Sequence, residues 1–159
     1  MKNITFSILI VFASTICTMG QDWSQWRGVE RQGIWHEDGI IDQFPDDGLK
    51  VKWRVPIGSG YAGPAVANGR VFVLDWTEDA SSRTLDGTER LLVLDEETGG
   101  ELWTAEWQTS YRALMGSYAI GPRATPTVDG DSVFVVGATG RLFSFDVTDG
   151  SRNWAVDYV

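Results

Sequence analysis

The residues predict an all-β chain built from repeated four-stranded antiparallel units, and three observations carry that expectation. Trp53, Trp103 and Trp154 recur every 50 to 51 residues. Segments 64–74 and 126–136 share one layout: a proline, a short apolar strand, a turn, then a stronger apolar strand. No stretch after residue 20 sustains a helical hydrophobic period. A four-stranded unit repeating at about 40 to 50 residues is the sequence signature of a β-propeller blade.

Taken in order, residues 1–20 read as a secretory signal. Lys2 supplies the positive start, Ile4 to Ile16 is uncharged and mostly apolar, and Thr18 and Gly20 are small residues before a cut at Gln21. The run is shorter than the roughly 20 residues a spanning helix needs. Cys17 is the only cysteine, and the Ile16 before it is bulkier than a lipid-attachment signal wants, so anchoring there is not expected. Cleavage leaves no disulfide framework, no thiol nucleophile and no membrane span. Residues 21–48 read as an irregular N-terminal segment. Residues 49–57 read as an outer strand carrying Trp53, 61–107 as one blade and 118–159 as a second.

Within the blades, Asn68-Gly69 is a strong hairpin signal because both residues tolerate positive φ. Asp129-Gly130-Asp131, Thr98-Gly99-Gly100 and Thr148-Asp149-Gly150 mark further turns. Val71, Val73, Val133 and Val135 are β-branched and suit strands. Residues 76–89 and 108–124 read as longer irregular connections.

Two stretches carry a finer pattern. Asp95, Gly99 and Trp103 fall at the same spacing as Asp146, Gly150 and Trp154. With Thr98, the first copy resembles the tryptophan-docking repeat of pyrroloquinoline-quinone-type (PQQ-like) β-propellers; Trp53 resembles the end of a third copy. The resemblance runs from Asp22 to Val159 and includes the opening Asp22-Trp23-Ser24-Gln25-Trp26-Arg27-Gly28. It implies that Trp53, Asp95, Gly99, Trp103, Asp146, Gly150 and Trp154 are structural. A flat indole buries a large face against the next blade, and glycine in the turn lets the backbone come close.

Composition narrows the function. The formal charge of −9, from 13 basic and 22 acidic residues, excludes phosphate-rich nucleic acid and anionic membrane surfaces as expected partners. Gly58-Ser59-Gly60-Tyr61-Ala62-Gly63 spells a dinucleotide fingerprint, but Pro64 and a hairpin follow where that site needs a helix. It reads instead as a glycine-rich loop entering an inner strand. Asp129, Asp131, Glu96 and Glu97 sit at turns without calcium-loop spacing, and His36 is the only histidine, so no metal site is expected. No catalytic residue stands out. The loop 108–124, with Tyr111, Arg112, Met115, Tyr118 and Arg123, is the best functional candidate. The resemblance implies that Tyr61, Tyr118 and Arg123 line the mouth of the ring; arginine there suits a carboxylate or phosphate.

The resemblance leaves three expectations open. The favoured one is a noncatalytic binding or assembly scaffold in the periplasm or cell envelope, similar to the propeller lipoproteins of outer-membrane assembly, with a protein or polymer ligand. The second is a fragment of a quinone-dependent dehydrogenase, which would take PQQ and calcium. The third is a glycan-binding module. Two blades fall short of the six to eight expected for the ring, so the remaining blades are expected in a longer polypeptide or in copies of this one.

Overall fold

The computed structural model describes residues 20–112 and 120–158. Residues 1–19, Met115, Tyr118 and Val159 lie outside the described residues. Eight strands form two antiparallel sheets. The first holds β1 (Ala65–Ala67), β2 (Arg70–Glu78), β3 (Asp86–Asp95) and β4 (Glu101–Ser110). The second holds β5 (Thr127–Asp129), β6 (Ser132–Val136), β7 (Arg141–Asp146) and β8 (Arg152–Asp157). Each sheet is a meander in chain order, the form of a propeller blade. The described residues are therefore all-β, in two four-stranded blades.

Turn chemistry sets the registers. Asn68 and Gly69 both adopt positive φ (53° and 70°) between β1 and β2, where Val66 faces Val71. The twist of such a turn matches that of the strands it joins. A bulge between Val93 and Leu94 in blade 1 recurs between Ser144 and Phe145 in blade 2.

Strand alternation divides each blade into two faces. Phe72, Leu74, Leu91 and Val93 point from blade 1 toward blade 2, where Val133, Val135, Phe143 and Phe145 meet them with Trp103 and Trp107. This is the main core; each fully buried large side chain contributes about 1.5–3 kcal/mol. The opposite face of blade 1, with Val71, Leu92 and Leu94, is covered by Trp53 and Val55.

Three segments differ from the sequence reading. Half of residues 76–89 is ladder: β2 continues to Glu78, β3 starts at Asp86, and Trp76 pairs with Glu89. Polar Asp75 and Glu89 break the apolar pattern, yet cross-strand pairing carries both into the sheet. β4 likewise runs through Ser110, shortening the 108–124 connection. Residues 49–57 enter no ladder with the eight strands, although Trp53 packs on blade 1. A strand needs a neighbouring backbone to pair with, and this segment meets side chains instead.

The N-terminal segment is irregular but anchored. Trp23 exchanges two backbone hydrogen bonds with Val66 on the free edge of β1 (2.8 and 3.0 Å), and the Val128 N–H donates to the Ser24 carbonyl (2.8 Å). Residues 23 and 24 thus clasp the innermost strands of both blades. Among the described residues no helix is long and apolar enough to cross a membrane.

Candidate functional site

The docking residues form one contact made twice. The Trp53 indole N–H donates to the Glu96 carbonyl (2.8 Å), and that of Trp103 to the Val147 carbonyl (3.0 Å). Each acceptor follows its turn aspartate by one residue. Gly99 and Gly150 lie under the two rings at φ of 71° and 73°. A Cβ there would come within 2.7 Å of Trp53 and 2.5 Å of Trp103, so only glycine admits the indole. Asp95 Oδ1 accepts from the Thr98 hydroxyl (2.7 Å) and N–H (2.8 Å). Those two bonds, the hydroxyl's first, hold the Asp95 carboxyl below the usual aspartate range. Asp146 Oδ1 takes the Thr148 N–H at 2.7 Å. Trp154, at the same place in the second copy, meets Phe134 of its own blade and is 42% exposed.

Between the blades lies a residue the sequence reading passed over. Glu89 is fully buried. Its carboxylate accepts from Trp107 Nε1 (2.6 Å), the Tyr111 hydroxyl (2.6 Å) and the Ala138 N–H (2.9 Å). Ala138 belongs to blade 2, so one carboxylate stitches the two sheets together. Gly137 is part of the fit, because a Cβ there would collide with Glu89. Burial, then the bond to Glu89, pushes the Tyr111 phenol above its usual range. The available signal was register: Glu89 has the parity of Leu91 and Val93, both core residues, so an acid there must find donors.

A second buried acid, Asp75, takes both arms of Arg90 (2.9 and 2.6 Å) and the Gly58 N–H (2.5 Å). The bond to Asp75 raises the Arg90 guanidinium further. The pair pins the glycine-rich loop. Ser59 exchanges two 2.8 Å backbone bonds with Trp76, and the loop enters β1 with no helix after it.

At the same end the two loops that precede β1 and β5 touch. The Tyr61 and Ala62 N–H groups both donate to the Pro122 carbonyl (2.8 and 3.1 Å). Gly121, at φ 116°, leaves room for Gly60. Tyr61 is 63% exposed and Arg123 is exposed beside Pro122. Tyr118 lies outside the described residues. Tyr111 turns inward to Glu89 rather than outward to a ligand. His36 is exposed, and its backbone N–H donates to Gln21. Among the described residues no three His, Cys, Asp or Glu converge as a metal site requires.

A family model described as "Outer membrane protein assembly factor BamB" matches residues 37–158. No curated protein matches the chain. Among solved structures, a europium-containing methanol dehydrogenase is similar over 70% of this chain and 19% of its own, at 22% identity and a TM-score of 0.48. BamB from Moraxella catarrhalis is similar over 65% of this chain and 35% of its own, at 19% identity and a TM-score of 0.36. The chain thus spans about a fifth and a third of these two proteins. With two meander blades and a family match over most of its length, the chain belongs to the PQQ-like repeat family that the assembly-factor model describes.

Proposed function

We propose that the chain is exported to the cell envelope and acts there as a noncatalytic binding or assembly scaffold. In this reading residues 1–20 are the export signal, 21–48 the irregular N-terminal segment and 49–159 part of a larger propeller. The observation that carries it is the use of the two fully buried carboxylates. Glu89 and Asp75 have their oxygens engaged by Trp107, Tyr111, Ala138, Arg90 and Gly58. Both hold blades and loops in place. The name of the matching family model, an assembly factor, supports the same reading.

Tyr61 and Arg123 would meet the ligand, with Tyr118 from the connection between the blades. An exposed aromatic ring and a guanidinium both suit a protein segment carrying a carboxylate. Glu89 and Asp75 are already engaged by protein donors, so under the dehydrogenase alternative the oxygens for calcium would come from other residues.

The test is capture from envelope extract on immobilised chain. A protein retained by the wild type and lost from Tyr61→Ala/Arg123→Ala supports the scaffold. Retention unaffected by the double variant would move the ligand elsewhere. Quinone held with calcium and accompanied by alcohol oxidation would overturn the noncatalytic reading.

A further inference from the structure

Two tryptophans flank the buried Glu89 in the ladder of blade 1, Trp76 on β2 and Trp107 on β4. Trp107 gives its indole N–H to the Glu89 carboxylate (2.6 Å). The Trp76 ring lies instead over Gly87, two residues along β3, where a Cβ would stand 2.6 Å from the indole nitrogen. The missing side chain at Gly87 is what lets this indole turn from the nearest buried acceptor. Trp76 is 3% exposed, and its buried Nε1 has no acceptor among the described residues. The indoles of Trp35, Trp53, Trp103 and Trp107 each have one. An unpaired buried N–H costs free energy, so the free chain keeps this donor at a loss. Trp76 has the strand parity of Phe72 and Leu74, which face blade 2, so its surroundings come from the chain's own two blades.

Trp76 also links the two loops assigned to the ligand. Its backbone exchanges two 2.8 Å bonds with Ser59, two residues before Tyr61. Its ring meets that of Tyr111 edge-on at 4.9 Å, at the start of the connection that leads to Arg123. The Arg123 charge acts on the Tyr111 phenol, opposing the upward push of burial and of the bond to Glu89.

We propose that Trp76 is a further ligand-binding residue, whose indole N–H takes a backbone carbonyl of the bound protein segment. A neutral acceptor follows from Glu89, which stands directly across the ladder and would repel a second buried anion. The carboxylate of the segment goes to Arg123. Because Nε1 is shielded before binding, the segment opens this end locally, and the bond it makes forms in dry surroundings, where a hydrogen bond is strong. Leu85, in the β2–β3 connection, holds the Tyr111 N–H on its carbonyl (2.9 Å) at a φ of 59°. Leucine rarely adopts that backbone, so this end carries strain that opening can release. The proposal rests on the scaffold reading for its protein ligand.

The test is magnetic resonance of the indole protons during titration with dimethylacetamide, an amide that accepts but cannot donate, and separately with acetate. Proximity to Tyr111 identifies the Trp76 proton in the wild type. It should begin at the unbonded position and move downfield along a saturating curve with the amide, and stay still with acetate. Trp76→Phe keeps an aromatic ring against Tyr111 and drops the donor. It should weaken binding of the capped peptide acetyl-Ala-Glu-Ala-amide about tenfold while the melting temperature holds. Trp107→Phe, which strips Glu89 of a bonded donor, should lower the melting temperature. An amide that leaves the proton unmoved, acetate that moves it equally, or peptide binding unchanged in Trp76→Phe would each overturn the proposal. So would a proton already downfield with a cross-peak to water. Capture of an envelope protein that needs Tyr61 and Arg123 but survives Trp76→Phe would leave the scaffold reading standing and this assignment refuted. A saturable amide shift in a chain that captures nothing would keep the carbonyl site and refute the scaffold.

Discussion

Trp103 and Trp154 occupy the same place in consecutive repeats and meet different surroundings. Trp103 is wedged over Gly150, bonded to Val147 and edged by Phe72 and Phe145. Trp154 has Phe134 on its own sheet and solvent beyond. The motif is common to both, so the motif alone does not decide what a tryptophan contributes. The contribution comes from the blade opposite, through a glycine that admits the ring and a carbonyl that takes its proton.

Truncation separates the two positions most sharply. Trp103→Ala should cost about 4 kcal/mol in urea unfolding, because it leaves a void between two packed sheets. Glu89→Leu should cost about 3 kcal/mol, since three buried donors lose their acceptor while blade 1 stays filled. Glu89→Gln should recover part of that loss. Gly150→Ala should cost about 2 kcal/mol from its left-handed backbone and the crowded indole above it. Trp154→Ala should cost under about 1 kcal/mol in dilute monomer. Equal losses at Trp103 and Trp154 would mean that the second face is already covered in solution.

The smallest effect concerns the turn itself. The Asp95 carboxyl is held below its usual range, so its stabilising effect is present above the ordinary aspartate value of about 3.9. It is lost as pH falls through that value toward the lower folded one. Thr98→Ala should therefore lower the melting temperature near neutral pH, and the difference from wild type should close toward about pH 2. A difference that stayed constant through the acid range would assign the role of Thr98 to packing.

Most of the blade architecture was legible because its signals are local. Asn68-Gly69, the alternating valines and the Asp–Gly–Trp spacing each act within a few residues, and each unit repeats its neighbour. What escaped was non-local. The Glu89 donors come from β4, the residue just after it, and the β6–β7 turn of the other blade, and nothing near Glu89 in sequence announces them. The connection 76–89 read as irregular because Asp75, Glu89 and Arg90 break the apolar pattern. The sheet instead absorbs them as a paired acid and base and a stitched carboxylate. Residues 49–57 have a strand's pattern without a strand's neighbour, and pairing depends on that neighbour. At the loop end, Tyr61 and Arg123 were each visible as residues, but only the shared Pro122 carbonyl reveals that their loops meet.

The clasp at Trp23 and Ser24 has a consequence for the order of assembly. These residues are made before either blade, yet their partners are Val66 on β1 and Val128 on β5. The bond to Val128 cannot close until blade 1 and the connection after it have left the ribosome. Trp23 can pair with Val66 as soon as blade 1 forms, but the bond from Val128 to Ser24 must wait for β5. Its closure then registers that the second inner strand has arrived, and a long-range contact of this kind sets a slow final step. Moving residues 20–24 to the far end of the chain by circular permutation would let the clasp form last by synthesis as well as by folding.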